Sequence, residues 1–570
     1  MYRQWIPTAP VLAALLAPLA FVAAGPAAVA TAGGGVGPEA FNMTRVAQLE
    51  LATCTDVSVS AAGDLAFVGR AGSGVTIVDL SDPAAPAVLA TWTHPTLPVV
   101  VNDPRPIDPT RLLISNESGD TFGLFELDLA DPSAPVLAGA YGPPEMPLNV
   151  HNLWVDGTHA YLAGYGGGLL NEIIDVSTPG GASHVASIPV DGFHDHTVVD
   201  ETLYVAGAYE GTWLFDVSTP SQPLEIGHWN ASTPDTSFYA HNAYPIGNSG
   251  YVLITEEVAF TGGPFVQGSL RVVDFSNPSA PVQVFRWFSE NAKNDPSITV
   301  HNVYVVGEFA FLSHYQDGVR VFDVSDPAQP VEVGWYDTFP ATPLSLFEGC
   351  WGVDPFHGLD RIVASDRTHG LFVLSFNGAR RTTLTGIIRD RETLAPVAGA
   401  GVKTLSANRS TFADGAGAYT LHTGSGVHRI EVSAPGYETA TLTLTLEPLA
   451  TRDEEVLLAP SGSIAVGDAA AGPAASRLLL APPSPNPLEE STVLRFRVPD
   501  AARGQDLDLG IYAVTGRRLR TLASGRAMPG EAVRRWDGRD AAGARVAAGL
   551  YVARLRVGDR ETRQKVLIGP

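Results

Sequence analysis

The chain has 570 residues, 45% of them hydrophobic, with 58 glycines, 44 prolines and a formal net charge of −24. That length exceeds a single hydrophobic core, and the profile suits a turn-rich all-β protein rather than a helical or disordered one. The acidic balance argues against nucleic acid as a partner.

Residues 1–32 read MYRQWIPTAPVLAALLAPLAFVAAGPAAVATA. An early Arg3, an apolar run to about Val22 and small residues at Ala28-Val29-Ala30 or Ala30-Thr31-Ala32 predict a secretory signal. The run is proline-broken and short for a membrane anchor, and no later segment is long enough to span a bilayer. The mature chain is therefore expected to be exported, secreted or held at the outer cell surface, with no transmembrane span.

Self-similarity is the dominant signal of the chain. Six segments align: GVTIVDLSDPAAPAVLATW (74–92), LFELDLADPSAPVLAGAY (124–141), NEIIDVSTPGGASHVASI (171–188), TWLFDVSTPSQPLEIGHW (212–229), LRVVDFSNPSAPVQVFRW (270–287) and VRVFDVSDPAQPVEVGWY (319–336). Their shared aspartates, Asp79, Asp128, Asp175, Asp216, Asp274 and Asp323, are 49, 47, 41, 58 and 49 residues apart. A period of four short strands predicts β-propeller blades. These aspartates fall between the third and outer strand of each unit, where Asp, Ser and Pro build a turn, so they are read as turn-formers. A seventh unit begins at residue 350 and stops without an outer strand. TRVAQLELAT (44–53) resembles an outer strand and precedes the first unit, so it is expected to complete the last and close the ring. The expectation is a seven-bladed β-propeller over residues 42–378, followed by two small antiparallel β-sandwich domains.

With VTIVDL and LRVVDF as its third-strand motifs, this region resembles the LVIVD-repeat propeller family. The resemblance implies an extracellular or envelope-associated propeller and fixes no common reaction.

Aligned blade starts put Thr55, Asn102, His151, His194, His241, His301 and Cys350 at one level of the channel. Four consecutive blades thus aim imidazoles at one axis, where three could share a divalent transition metal ion at about 2.0–2.1 Å. Asn152, Asp195, His196, Asn242 and Asn302 come within two residues as further ligands or supports. Second-strand ends return to the same face with Asn116, Glu117, Tyr165, Tyr209, Glu210, Glu256, Glu257, His314, Tyr315, Asp366 and Arg367, making a polar pocket. The competing reading is structural: duplication copies a histidine that bonds the next blade, with the Asn or Asp after it capping a turn. No HExxH, GxSxG or phosphate loop is present, so no catalytic residue is assigned.

The two cysteines, Cys54 and Cys350, open the first and seventh units, which are neighbours in a closed ring. In an exported chain this invites a disulfide worth about 4–5 kcal/mol by loop entropy. Two buried thiols, or sulfurs joining the histidines, are the alternatives.

Residues 382–459 alternate apolar and polar between Asp-Gly and Pro-Gly turns, as a small sandwich requires. Gly386, Pro396-Val397, Thr411 to Tyr419 with Asp414 and Gly417, and Pro435-Gly436-Tyr437 resemble a carboxypeptidase regulatory-like domain. That resemblance implies a transthyretin-like spacer without catalytic groups. Residues 460–477 read as a linker, flexible by composition. Residues 478–570 carry 16 basic against 10 acidic side chains. Pro485-Asn486-Pro487, Ile511-Tyr512, Thr515-Gly516-Arg517, Trp536-Asp537-Gly538, Gly543, Gly549-Leu550-Tyr551 and Lys565-Val566-Leu567 resemble the FlgD-like immunoglobulin-type domain and the type IX secretion sorting domain. Those implied roles are contact with export machinery or surface attachment.

The functional expectation is an exported propeller that binds an extracellular ligand or protein on its channel face. The alternative is a metal-dependent hydrolase, lyase or oxidase using His151, His194, His241 and His301.

Overall fold

The structure, a computed structural model, describes residues 40–118, 122–142, 149–165, 171–190, 194–232, 238–257, 268–292, 298–340, 347–461, 478–480, 483, 488, 492–499, 502–513, 515–528 and 530–568. The expected signal, nearly all of the linker and the Pro485-Asn486-Pro487 turn lie outside these residues. The protein is all-β, and among the described residues no helix is long and apolar enough to cross a membrane. The chain divides into two compact units: residues 1–388, 396–432 and 440–456, and residues 389–395, 433–439 and 457–570.

The first unit is built around a β-propeller. Its described strands between residues 40 and 376 form seven four-stranded antiparallel sheets, one of them extended by a fifth strand. Their inner strands are Cys54–Val59, Pro104–Asp108, Asn149–Asp156, Asp195–Val199, Ala240–Pro245, Val303–Val306 and Cys350–Asp354. Each contacts the next, and the last contacts the first, so the set closes.

Second and third strands, such as Phe309–Ser313 and Val319–Asp323, read as continuous apolar runs because neighbouring blades cover both their faces. Outer strands such as Val282–Trp287 keep Val282 and Val284 exposed. In every sheet the register shifts between third and outer strand, for instance at Ile77/Val78 and Val321/Phe322. Such bulges add the local twist a blade needs at its rim. The repeated aspartates open the connecting turn: their Oδ1 atoms accept from Ser81, Ala130, Ser177, Ser218, Ser276 and Ser325 backbone N–H groups at 2.7–3.0 Å.

The last sheet takes its outer strand from the start of the ring. Met43–Leu49 pairs with Gly370–Phe376, from Met43 opposite Phe376 to Leu49 opposite Leu371. Just before it, Ala40–Phe41 pairs with Tyr336 and Trp335 of the sixth sheet. Asn42 turns the chain between the two sheets at φ 58°, a left-handed conformation asparagine tolerates. Its Nδ2 donates to the carbonyls of Val333 at 2.8 Å and Ser425 at 3.0 Å.

The same unit holds most of the first sandwich. Residues 381–387 pair with 418–424, residues 401–404 with 409–412, and residues 426–432 with 440–446. Leu384, Val402, Ile430 and Val432 point into its core. In the second unit, Asp506–Ala513 lies between Arg518–Arg526 and Gly549–Val557, while Thr492–Val498 pairs with Gly530–Trp536. Trp536 and Tyr551 meet in its core at 5.8 Å between ring centroids.

The expected disulfide is not formed: Cys54 and Cys350 are both buried free thiols. Adjacent blades do not bring the sulfurs face to face. The Cys54 Sγ turns to the Leu51 carbonyl at 3.6 Å, and the Cys350 Sγ turns to the Gly352 carbonyl at 3.6 Å. Burial pushes the Cys54 thiol up to about 12 and the Cys350 thiol well above its ordinary value, so neither is a ready thiolate.

Candidate functional site

The His-Asn and His-Asp pairs divide two tasks because successive strand residues point different ways. The residue after each histidine stitches blades together. Asn152 Nδ2 donates to Asp103 Oδ2 at 2.9 Å, and Asn152 Oδ1 accepts from the His196 N–H at 2.9 Å. Asn242 Nδ2 donates to Asp195 Oδ2 at 3.1 Å, and Asn242 Oδ1 accepts from the Val303 N–H at 3.3 Å. Asn302 Nδ2 reaches past the seventh blade to Asp56 Oδ2 at 3.0 Å. The seventh blade allows this with Gly352, where a Cβ would stand 2.0 Å from Asp56 Oδ1. Asn152, Asn242 and Asn302 therefore belong to a buried staple layer rather than to a ligand set.

Above that layer the four expected histidines form a continuous arc. Ring centroids are 4.4 Å apart for His151 and His194, 3.9 Å for His194 and His241, and 4.1 Å for His241 and His301. Tyr239 flanks His194 at 5.5 Å, while Tyr315 and Trp351 each lie 5.0 Å from His301. Two sets bring ligand atoms within 4.8 Å of one another: His151, His194 and Asp195, and His194, His241 and Glu257. Ligand atoms on one tetrahedral ion at about 2.0–2.1 Å stand closer than that, so small side-chain shifts suffice.

Carboxylates orient the outer imidazoles. His194 Nδ1 lies 2.9 Å from Asp195 Oδ1, and His151 Nδ1 contacts the Glu117 carboxylate. The Asp195 pairing turns His194 Nε2 outward, the arrangement by which a carboxylate fixes a ligand's ring and tautomer, whereas His151 Nε2 lies 3.5 Å from Asn102 Nδ2. Glu257 accepts the Tyr315 hydroxyl hydrogen at 2.8 Å.

Electrostatics at the mouth are set by burial. It pulls His194 down, His241 well down and His301 to about 3, leaving all three neutral, the form that ligates. Burial opposes charge on His151 too, but Glu117 overcomes it and holds the ring at about 9. Glu257 is pushed up to about 8 by burial, although Tyr315 and His151 favour its anion.

Other expected pocket residues are placed elsewhere. Glu256 is bound by Arg271 and Arg286, each at 2.7–2.8 Å, and faces away from the arc. Glu210 is exposed, its backbone carbonyl 2.7 Å from His228 Nε2. His196 and His314 are buried and held at about 4 by burial. His314 packs on Trp287 at 5.8 Å, with Asp317 at 3.8 Å. Asp366 accepts from the Thr338 hydroxyl at 2.8 Å, whereas Arg367 stays at the mouth, 4.9 Å over Trp351. Tyr165 has no described side chain.

Sequence reasoning missed the floor below the staples. Arg105 is buried on the axis, its Nε 2.9 Å from Asp103 Oδ1 and its Nη2 donating to the Tyr304 hydroxyl at 3.1 Å. Asp56 is 3.7 Å away, and the guanidinium lies 5.0 Å over Trp154. An arginine inside an inner strand opposite two aspartates of blade starts was the available signal.

The LVIVD repeat model matches residues 54–93, 149–186, 264–288 and 299–338, and the carboxypeptidase regulatory-like domain model matches residues 383–459. No curated protein matches the chain. Among solved structures it is similar to the β-propeller domain of Myceliophteria thermophila Cps50 (Swd1), at 12% identity and TM-score 0.40 over 58% of this chain and 99% of that one. It is also similar to U3-55K (11%, TM-score 0.43, 60% and 100%) and to the WD40 propeller domain of Doa1 (13%, TM-score 0.41, 58% and 97%). At such scores the propeller assignment rests on the sheet order and the repeats.

Proposed function

We propose that this chain is an exported binding protein, displayed at or released from the cell surface, whose seven-bladed ring holds a divalent transition metal ion at its histidine mouth. The observation that carries this reading is the convergence of His194, His241 and Glu257 within 4.8 Å in a buried channel mouth. His194 and His241 supply neutral imidazoles, Glu257 supplies the charge, and His151 stands beside them, held as a cation by Glu117 until it gives up its proton. Nitrogen-rich donor sets of this kind suit zinc, copper or nickel better than calcium or magnesium. The bound ion would supply a Lewis-acidic position for an extracellular ligand. Asp195 and Glu117 keep the rings aimed, and Tyr239, Tyr315 and Trp351 wall the mouth.

Residues 1–32 act in this reading as the export signal. Residues 478–570 act as a FlgD-like or type IX sorting-type module engaging export machinery or the surface, and residues 382–459 as a spacer. Metal analysis of the purified full chain tests the centre: about one ion per chain is expected, and none in the His194→Ala, His241→Ala double variant. A wild-type chain that takes up no zinc, copper or nickel would overturn it. Fractionation of producing cells tests export, which a cytoplasmic chain retaining residues 1–32 would sink.

A second reading, a metal-dependent hydrolase, lyase or oxidase, is favoured by Glu257, a buried acid bonded by Tyr315 beside neutral imidazoles. Such an acid held near neutral pH suits proton transfer. Metal-dependent turnover lost in Glu257→Gln and Tyr315→Phe, with metal content retained, would select this reading over simple binding.

A further inference from the structure

The far end of the channel carries a second cavity, of about 310 Å³, whose wall includes Ser58, Arg105, Trp154, Asp354, Phe356 and His357. Its strand residues, such as Ser58, Arg105, Trp154 and Asp354, lie three or four positions beyond the histidine level, and Ala61, Phe356 and His357 follow in the turns after those strands. At about 3.3 Å per residue that places it roughly 10–16 Å along the channel, with the staple layer and Arg105 between the two mouths. The volume falls at the lower end of the range for small-molecule sites, which begins at about 300 Å³.

The walls are unusual for a solvent-facing mouth. Trp154 and Phe356 both pack against Tyr304, at 6.1 and 5.7 Å between centroids, and Phe356 remains 40% exposed. Val59, Ala61, Pro106 and Val155 complete an apolar lining. Two polar groups set in it have unused donors. The Ser58 hydroxyl is buried, with the residue 2% exposed, and makes no hydrogen bond among the described residues. The Arg105 guanidinium spends Nε on Asp103 and Nη2 on Tyr304, and Nη1 has no described hydrogen-bond partner. Buried polar groups are ordinarily satisfied, so unpartnered donors on a cavity wall point to what fills it.

We propose that this cavity binds a small, flat monocarboxylic acid, its carboxylate accepting from Ser58 Oγ and Arg105 Nη1 and its ring resting against Phe356. Arginine and a hydroxyl form a strong charge-assisted pair for a carboxylate, and aromatic faces favour a planar partner. A cationic ligand is disfavoured because the guanidinium already occupies the Trp154 face at 5.0 Å. A sugar would need more free polar groups than the wall offers: both oxygens of Asp354 already accept, from the Val59 N–H at 2.8 Å and the Phe356 N–H at 3.1 Å. Asp354 is the one carboxylate in the lining. Burial raises its pKa, and His357 Nε2 stands 4.0 Å from its Oδ1.

Titration calorimetry of the full-length protein tests this with phenylacetate and indoleacetate against phenylacetamide and glucose. One acid per chain is expected, with the amide at least about tenfold weaker, the loss corresponding to one charge-assisted hydrogen bond. Phe356→Ala should weaken the acid about tenfold and Ser58→Ala severalfold, the latter with an unchanged unfolding midpoint because the Ser58 hydroxyl is unbonded in the free protein. A chelator should leave acid binding intact, which separates this site from the histidine mouth. Equal binding of acid and amide, preference for glucose, no binding of either acid at millimolar concentration, or full affinity in both variants would overturn the proposal.

Discussion

The two mouths of the channel are built from the same seven inner strands and have opposite chemistry. At the strand starts, imidazoles and carboxylates crowd together, and burial keeps most imidazoles neutral. At the strand ends, aromatic and aliphatic side chains surround a single guanidinium. The floor between them explains how both persist. Arg105 faces Asp103 and Asp56, and burial raises the former to about 6 and the latter well above its ordinary value. One cation thus shares two carboxyl groups, while Asn152 donates to Asp103 Oδ2, Asn302 to Asp56 Oδ2 and the Val57 N–H to Asp56 Oδ1. A repeat can therefore place one residue type at one height on four consecutive blades and an unrelated set three residues on.

The largest test of this separation removes one mouth alone. The His194→Ala, His241→Ala double variant should lose its ion entirely while keeping acid affinity at the far cavity within about twofold, since sites this far apart without shared partners are usually additive. A parallel loss at both ends would show that the floor transmits rather than insulates.

Arg105→Ala attacks the floor itself. Stranding Asp56 and Asp103 without their cation should cost about 3–5 kcal/mol, seen as a lower urea midpoint. An unchanged midpoint would mean that both acids are already neutral and the arginine serves only the cavity.

The pH dependence should mark the histidine mouth alone. Glu257 sits at about 8, so an ion must displace its proton, and metal affinity should climb about tenfold per pH unit from 6 to 8 before flattening. Without metal the sign reverses: a carboxyl raised from 4.5 to about 8 stabilises the fold in its acid form and loses that contribution as pH rises through this window. Chelator competition and thermal melts across pH 5–9 check both slopes. Acid binding at the far cavity should not track the Glu257 curve, and Glu257→Gln should abolish both slopes.

The smallest effect concerns a single staple. Asn302→Ala should cost about 1 kcal/mol, the scale of one buried hydrogen bond, and leave metal content unchanged. Loss of metal in this variant would move Asn302 from the frame into the site.

Much of this was legible in the sequence, for reasons that can be traced to particular residues. The Asp79 to Asp323 series was readable as turns because an Asx turn needs only a residue two positions on. The strand at 43–49 was readable because an incomplete last unit demands a partner. The histidine arc came from aligning the starts of the repeat units. What spacing could not resolve was facing. Glu256 and Glu257 are adjacent, and one step along the chain sends the first to Arg271 and the second to His194. The same limit hid the cysteines, whose blades are neighbours but whose Sγ atoms turn to separate carbonyls. Arg105 was missed because, Asp103 apart, its partners Asp56, Tyr304 and Trp154 come from other blades, at no fixed distance in the chain.

The Met43–Leu49 strand carries a consequence for timing. Synthesised among the first strands, it finds its partner Gly370–Phe376 only after more than three hundred further residues. Until then it is an open edge, the kind of segment that recruits wrong neighbours. Ring closure is consequently the most non-local event in folding, and such contacts make folding slow. The finished ring should be correspondingly hard to reopen: shortening the chain before residue 50 would leave a protein whose seventh sheet unravels first, long before the histidine mouth feels the loss.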